Sequence, residues 1–378
     1  MRPLPSPARW GDLTGKRVLV RVDFNVPVAA RDGEYVVTDD FRLRAALPLF
    51  TDLLARGASV VARTHFGRPE GRADPRYSLA PVRRALEALC PGVELGENLR
   101  FHPGEEAGDP AFGASLVEGV DYYVNEAFGA SHRAHASIVV PPRLVPSAAG
   151  PNLAHEAETI LALLEDPPRP FVAIVGGAKV RDKIGLVRVL AERADVVLVG
   201  GGMAHTFALA DGRRVGDSLV DESRVEECRT LLKSGVVVIP RDARGLASGA
   251  PVGASGGEAP VVDFAADVPE GFTALDIGPE TSTVFAAAIE GAASILWNGP
   301  MGVFEDPRFM AGTEAVARAV AASRARSVVG GGDSAAALDA LGLRASVTFV
   351  STGGGATLRL VEEGDLPGLR ALRESPFS

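Results

Sequence analysis

The sequence predicts an α/β protein of two parallel-sheet domains joined by a helix. Three observations carry that expectation. Short apolar, β-branched runs alternate with amphipathic stretches almost throughout, the pattern of parallel strands with helices on both faces. A length of 378 residues exceeds what one core holds, and a hydrophobic content of 46% suffices for two. Prolines 141, 142, 146, 151, 167, 168 and 170 cluster around one helical stretch, 152–164, and mark a boundary near the middle.

Taken in order, the first half offers strands at 17–22, 59–63 and 120–124, with a helix at 42–54 between the first two. Their near-continuous apolar character suits sheets buried on both sides. In open α/β sheets, ligands bind beyond the carboxyl ends of the strands. Here those ends are polar. VLVRV runs into Asp23-Phe24-Asn25, and SVVAR into Thr64-His65-Phe66-Gly67-Arg68. The short run VELGENL leads to Arg100, and VDYYV to Asn125-Glu126 and then Ser131-His132-Arg133. Arginines and histidines gathered on one sheet edge make a cationic basin, suited to a small anion bearing phosphate or carboxylate. Each residue alone has a plainer reading. Asp23 and Asn25 before Pro27 suit a turn, His65 suits a structural histidine, and Arg100 suits a surface ion pair. Their shared edge favours the functional one. His132 and His135 lack a third ligand nearby, so a zinc site is not expected.

The second half offers strands at 171–175, 196–199, 236–239, 274–277, 294–297, 327–329 and 347–350, and helices at 180–192, 222–233 and 312–323. FVAIV is followed by Gly176-Gly177-Ala178-Lys179, with Lys183 four residues on. Two lysines at that spacing share one helix face. SILW runs into Asn298-Gly299-Pro300, with Glu305 beyond. Three glycine triplets, 200–202, 330–332 and 353–355, each follow a β run and open a helical stretch. That geometry aims backbone N–H groups and a positive dipole end at an anion, and its repetition suggests a nucleotide. Asp333, after the second triplet, suits either a helix cap or Mg²⁺ held on a nucleotide. The segment 245–260, rich in Gly, Ala and Ser, reads as a mobile surface loop.

Composition narrows the class. A net charge of −9 argues against general nucleic-acid binding. No apolar stretch reaches the length of a membrane span, and no apolar run follows the first arginines, so neither a membrane partner nor a secretory signal is expected. Cys90 and Cys228 fall in different halves, which suits a reducing cytoplasm. There is no G-x-x-x-x-G-K-[ST], and no protein-kinase H-R-D or D-F-G. Residues 330–335 match G-x-G-x-x-A, but about 20 residues onward stands VTFVSTGGG, with no carboxylate for a ribose, so a dehydrogenase is disfavoured.

Taken together, VLVRVDFNVP, HFGRP, ENLRFHPGEE, NEAFGASHRAHAS, GGAKVRDKI, GGGMAHTF, LDIGPET, WNGPMGVFE, GGGDSAAA and STGGGATL occur in order along the whole chain. In these ten blocks the sequence resembles the phosphoglycerate kinase family. The resemblance implies two doubly wound, Rossmann-like domains joined by a helix and hinge. They would be a substrate domain at 1–151, a linker helix at 152–169 and a nucleotide domain at 170–366, with the tail 367–378 packing back on the first. It implies 3-phosphoglycerate or 1,3-bisphosphoglycerate at Asp23, Asn25, Arg42, His65, Arg68, Arg100 and Arg133. It implies ADP or ATP at Ala178, Lys183, Gly202, Asn298, Glu305, Gly332, Asp333, Ser334 and Ala335, with Mg²⁺ at Asp333. Arg42 and Lys183 would be catalytic, and the enzyme a cytoplasmic monomer. The sequence departs from the usual family pattern at Thr64, Phe66, Ser131, Arg181 and His155, none of them assigned to chemistry. Phosphoryl transfer between a carboxylate and ADP needs no general base, since the carboxylate is already ionised at neutral pH, so alignment and electrostatic stabilisation carry the catalysis.

Overall fold

A computed structural model describes residues 2–31 and 33–377. Met1, Asp32 and Ser378, the last of the expected tail, lie outside the described residues. The chain divides into two compact units. One runs from the N-terminus to Thr159 and takes up the chain again from Glu363; the other is Ile160–Glu362. The division falls inside the helix Pro151–Glu165.

The first unit is built on five parallel strands in the order Val93–Leu95, Ser59–Arg63, Arg17–Arg21, Tyr122–Asn125, Ser147–Ala149. Numbered along the chain, that order is 3-2-1-4-5, and winding reverses direction at the central strand Arg17–Arg21. Val18 and Val20 of that strand pack with Leu43, Phe50 and Leu53 of the helix Phe41–Ala55. Leu19 and Tyr123 are buried as well, so apolar residues fill consecutive positions rather than alternate ones. The hairpin Val28–Arg31 with Glu34–Val37 projects from this core and was not legible as strand. The terminal helix Pro367–Arg373 belongs to this unit: Gly368 N–H donates to Ser131 at 2.9 Å, and Leu366, Leu369 and Leu372 are fully buried.

The second unit carries six parallel strands in the order Val237–Val238, Val196–Val199, Phe171–Val175, Ser294–Asn298, Arg326–Gly330, Phe349–Val350. This is 3-2-1-4-5-6, the order of dinucleotide-binding folds, with its switch point between Phe171–Val175 and Ser294–Asn298. Trp297 is fully buried, and its indole N–H donates to Gly299 O at 2.8 Å, fixing the chain as it leaves the sheet.

Two expectations need correcting. The run at 274–277 is strand, but it lies in a separate antiparallel sheet of Val262–Phe264, Ala243–Ala247 and Phe272–Ile277. Residues 245–247 complete the middle strand of that sheet, so the segment 245–260 is not loop throughout. Its remainder is tethered. Arg308 donates to the carbonyls of Pro251, Gly257 and Ala259, and buried Asp306 accepts from Gly253 N–H at 3.1 Å. Composition marked the glycines but not the distant arginine that holds them. Among the described residues, no helix is long and apolar enough to cross a membrane.

Candidate active site

In the first unit, the carboxyl ends of the strands converge on a cluster of charge. Arg42, in the first turn of Phe41–Ala55, pairs with Asp23 at 2.9 Å. Asp23 also lies 3.9 Å from His65 Nε2. Asn25 N–H turns back to Asp23 at 3.3 Å, and the Asn25 side chain accepts from Gly67 N–H at 3.0 Å, so this stretch both turns and reaches the neighbouring strand end. Arg100 is nearly fully buried. It donates to Gly67 O at 2.6 Å and pairs with Glu106 at 2.9 Å, so it is neither a surface residue nor singly engaged. Arg133 donates to His132 at 3.2 Å. Arg68 is exposed just beyond His65.

Arg21 was not marked out by the sequence as a site residue, although a charge inside an apolar strand was a usable signal. It is almost completely buried, donates from Nε to Ser137 at 2.9 Å and lies 3.2 Å from His65 Nδ1. A guanidinium can only donate, so His65 Nδ1 accepts and the ring proton sits on Nε2, on the side of Asp23. Burial drives the His65 pKa down to about 3; Asp23 opposes this, while Arg21, Arg100 and Arg133 add to it. A neutral imidazole N–H is thus held among arginines. Burial would raise Asp23, but His65, Arg42 and Arg21 outweigh it and hold the carboxyl below its ordinary range. Behind Arg21 the buried chain continues through Ser137 to Glu105, at 2.7 Å, with His135 3.8 Å further on. Arginines therefore outnumber carboxylates in this basin, and its geometry suits a polyanion.

In the second unit, the switch point opens a cleft of about 380 Å³ lined by glycines and apolar residues, with Glu305 and Asp333 exposed in it. Gly201, at φ +67°, approaches so closely that a Cβ there would lie 2.7 Å from the Gly177 backbone. Gly202 and Ala178 line the same wall. Gly331, at φ +98°, caps the helix Gly332–Ala340, whose first turn carries Asp333. Gly332 and Asp333 are exposed, and Ala335 is half-buried. Ser334 is fully buried and accepts from Gly299 N–H at 2.6 Å, so it ties the two turns together from behind. The third triplet packs against the second: a Cβ on Gly354 would meet Gly331 Cα at 3.2 Å.

Lys183 and Lys179 do not share a helix face as their spacing suggested. Val180–Asp182 is a 3-10 turn, and Lys183, at φ −134° and ψ 0°, separates it from the helix Ile184–Ala191. Lys179 stays exposed while Lys183 turns inward. Its ammonium donates to Gly176 O at 2.6 Å and Asn298 O at 3.3 Å. Burial lowers its pKa to about 8, against the pull of Asp333 and Asp182. Asn298 is buried with its Nδ2 unbonded, beside Gly331. An orphaned buried donor next to a glycine turn has the capacity to meet an acceptor there. Among the described residues, no group of three or more side chains is arranged to hold a metal ion alone.

The chain is similar to known proteins over nearly its whole length. The family model described as phosphoglycerate kinase matches residues 9–96 and 91–364. A phosphoglycerate kinase from Moorella thermoacetica is 47% identical, over 96% of this chain and 98% of its own. One from Thermus thermophilus is 48% identical over 96% and 98%. The solved structure of phosphoglycerate kinase from Coxiella burnetii superposes with a TM-score of 0.88 at 35% identity, covering 98% of this chain and 99% of that one. The enzyme from Pyrococcus horikoshii OT3 gives 0.82 at 29% identity, with 98% and 99% covered.

Proposed function

The chain belongs to the phosphoglycerate kinase family, and from that premise we propose how its two sites divide the reaction. The activity is phosphoryl transfer between the acyl phosphate of 1,3-bisphosphoglycerate and ADP, giving 3-phosphoglycerate and ATP. The basin of the first unit takes the glycerate. Asp23, Asn25 and His65 meet its polar end, and Arg68, Arg100 and Arg133 meet its phosphate. The glycine-lined cleft of the second unit takes the nucleotide, with Glu305 at the ribose and the turns at 331–335 and 353–355 along the polyphosphate. The observation that carries the division is the contrast between the sites: one is lined with guanidinium groups, the other with bare backbone and an orphaned Asn298 donor.

Asp333 fits Mg²⁺, which takes one or two carboxylates plus substrate phosphates and keeps its waters rather than needing an all-protein cage. When bound, the ion supplies charge neutralisation on the nucleotide oxygens. Arg42 and Lys183 are the cations placed for the transferring phosphoryl group. Both are fixed before the reaction, Arg42 by Asp23 and Lys183 by two carbonyls, so little reorganisation remains at the transition state. The attacking or leaving carboxylate is already ionised at neutral pH, and neutral His65 offers a hydrogen bond rather than a proton. With one substrate on each unit, domain closure about the helix Pro151–Glu165 is the step that joins them and excludes water. We assign the protein to the cytoplasm as a monomer.

A coupled assay of 3-phosphoglycerate with Mg-ATP tests the reading. The expected result is acyl-phosphate formation that needs both substrates. Folded protein that forms none overturns it.

A further inference from the structure

Glu305 is exposed in the nucleotide cleft and has no side-chain partner among the described residues, so its place depends on its backbone. The turn that carries it is fixed from two sides. On one, Val303 N–H donates to Leu275 O at 2.9 Å, which binds the turn to the strand Phe272–Ile277. On the other stands Asp306, next in sequence to Glu305, with its side chain 0% exposed. Arg308 closes Asp306 off from water. Its Nε and Nη2 donate to the two carboxylate oxygens at 3.0 and 2.7 Å. Its remaining donors run to Pro251 O at 2.8 Å, Gly257 O at 3.3 Å and Ala259 O at 3.4 Å. Every N–H of the guanidinium therefore has an acceptor. Its Cζ also lies 5.4 Å from the ring centroid of fully buried Phe309.

The three carbonyls belong to a long connection. Residues 248–261 join the strands Ala243–Ala247 and Val262–Phe264 without helix or strand of their own. Unstructured connections of such length are uncommon in compact domains and usually functional. Rich in glycine, alanine and serine, this one has little to bury. Among the described residues, the hydrogen bonds that reach 251–259 from outside the connection come from Arg308 and Asp306. A tether for a surface loop could sit on any neighbouring element. This one is built on the residue that follows the carboxylate of the cleft and on the 3-10 turn Pro307–Phe309 that Asp306 caps.

We infer that Arg308 is a positioning residue for the nucleotide. Through Asp306 it fixes the turn that bears Glu305, so that the Glu305 carboxylate stands ready to accept from the ribose hydroxyls before the nucleotide arrives. The 248–261 connection is the outer side of the same clamp. This rests on the reading that places the ribose at Glu305. A carboxylate already in place loses less freedom on binding, so the effect falls on KM more than on kcat.

ATP and 2′,3′-dideoxy-ATP differ only at the ribose hydroxyls and are the probes, with 3-phosphoglycerate as the second substrate. For the wild-type enzyme, KM for the dideoxy compound should be higher by about 10-fold or more. Arg308→Ala should raise KM for ATP about 5-fold and leave KM for dideoxy-ATP within about twofold, with little change in kcat. In a Glu305→Ala background the same substitution should add less than about twofold, because the group it positions is gone. Arg308→Lys has three donors for the same acceptors and should fall between wild type and alanine. It also serves if the alanine variant fails to fold, as judged by melting curves. An unchanged KM for ATP in the folded variants overturns the inference. So does an equal rise for both nucleotides, which marks general damage to the cleft, and so does an undiminished effect in the Glu305→Ala background. Equal KM values for the two probes in wild type, with Glu305→Ala silent, defeat instead the ribose reading on which the inference rests.

Discussion

Lys183 makes the affinity of the nucleotide site depend on pH in a calculable way. Its pKa is about 8 against an ordinary 10.5, because burial removes water that the two carbonyl contacts and Asp333 only partly replace. That difference of about 2.5 units corresponds to roughly 3 kcal/mol held against the ammonium in the empty site. A phosphoryl anion placed beside it restores the charged form and raises the pKa again. The sign then follows. Below pH 8 the lysine is already charged and anion affinity is flat. Above pH 8 a proton must be taken up on binding, so affinity falls about tenfold per pH unit, by up to about 300-fold at pH 10.5. The assay is kcat/KM for ATP from pH 6.5 to 10, which reports groups of the free enzyme. Lys183→Arg supplies the control. Guanidinium stays charged throughout, so the alkaline limb near pH 8 should vanish even if the bulkier group lowers the rate. A limb that persists unchanged in Lys183→Arg belongs to another group and refutes the reasoning.

Three further outcomes follow from the same geometry. Arg42→Ala should lower kcat by about 10²- to 10³-fold, and nucleotide affinity measured by fluorescence titration should stay within about twofold, since its contact is to Asp23 in the other unit. Asp333→Ala should weaken Mg-ADP binding in calorimetry while 3-phosphoglycerate binding is retained; equal losses for both ligands contradict the assignment of one ligand to each unit. Glu126, buried at the start of the helix Pro151–Glu165, accepts from Asn152 and Leu153, yet burial pushes its pKa up to about 7. A carboxyl raised in the folded state contributes stability that is fully present below its unfolded pKa of about 4.5 and lost as pH rises through about 7. Glu126→Gln should therefore flatten the decline of Tm between pH 4.5 and 7.5, and an unaltered profile removes Glu126 as its source.

The strand ends were legible because polarity changes abruptly there: VLVRV to Asp23, SVVAR to His65, SILW to Asn298. That contrast located most residues of both clusters. What stayed hidden depended on distant partners. Val93–Leu95 and Ser147–Ala149 have three residues each, too short for a periodicity, and exist because longer neighbours pair with them. Arg21 was absorbed into its strand, although distant partners, Ser137 and His65, make its burial tolerable. Lys179 and Lys183 were read as one helical face because spacing cannot distinguish an α-turn from a 3-10 turn.

The two units are wound alike, 3-2-1-4-5 and 3-2-1-4-5-6, yet they furnish their crevices from different parts of the chain. The first does so with side chains and the second largely with the main chain. Evolution and engineering therefore have unequal access to them. A single substitution among the arginines or at His65 changes the charge and hydrogen-bonding groups of the first crevice. The glycine turns of the second resist exchange at Gly201, Gly331 and Gly354, where any replacement adds a carbon with backbone or Asn298 already within about 3 Å. The first crevice is open to redesign residue by residue; the second is constrained wherever its main chain packs against itself.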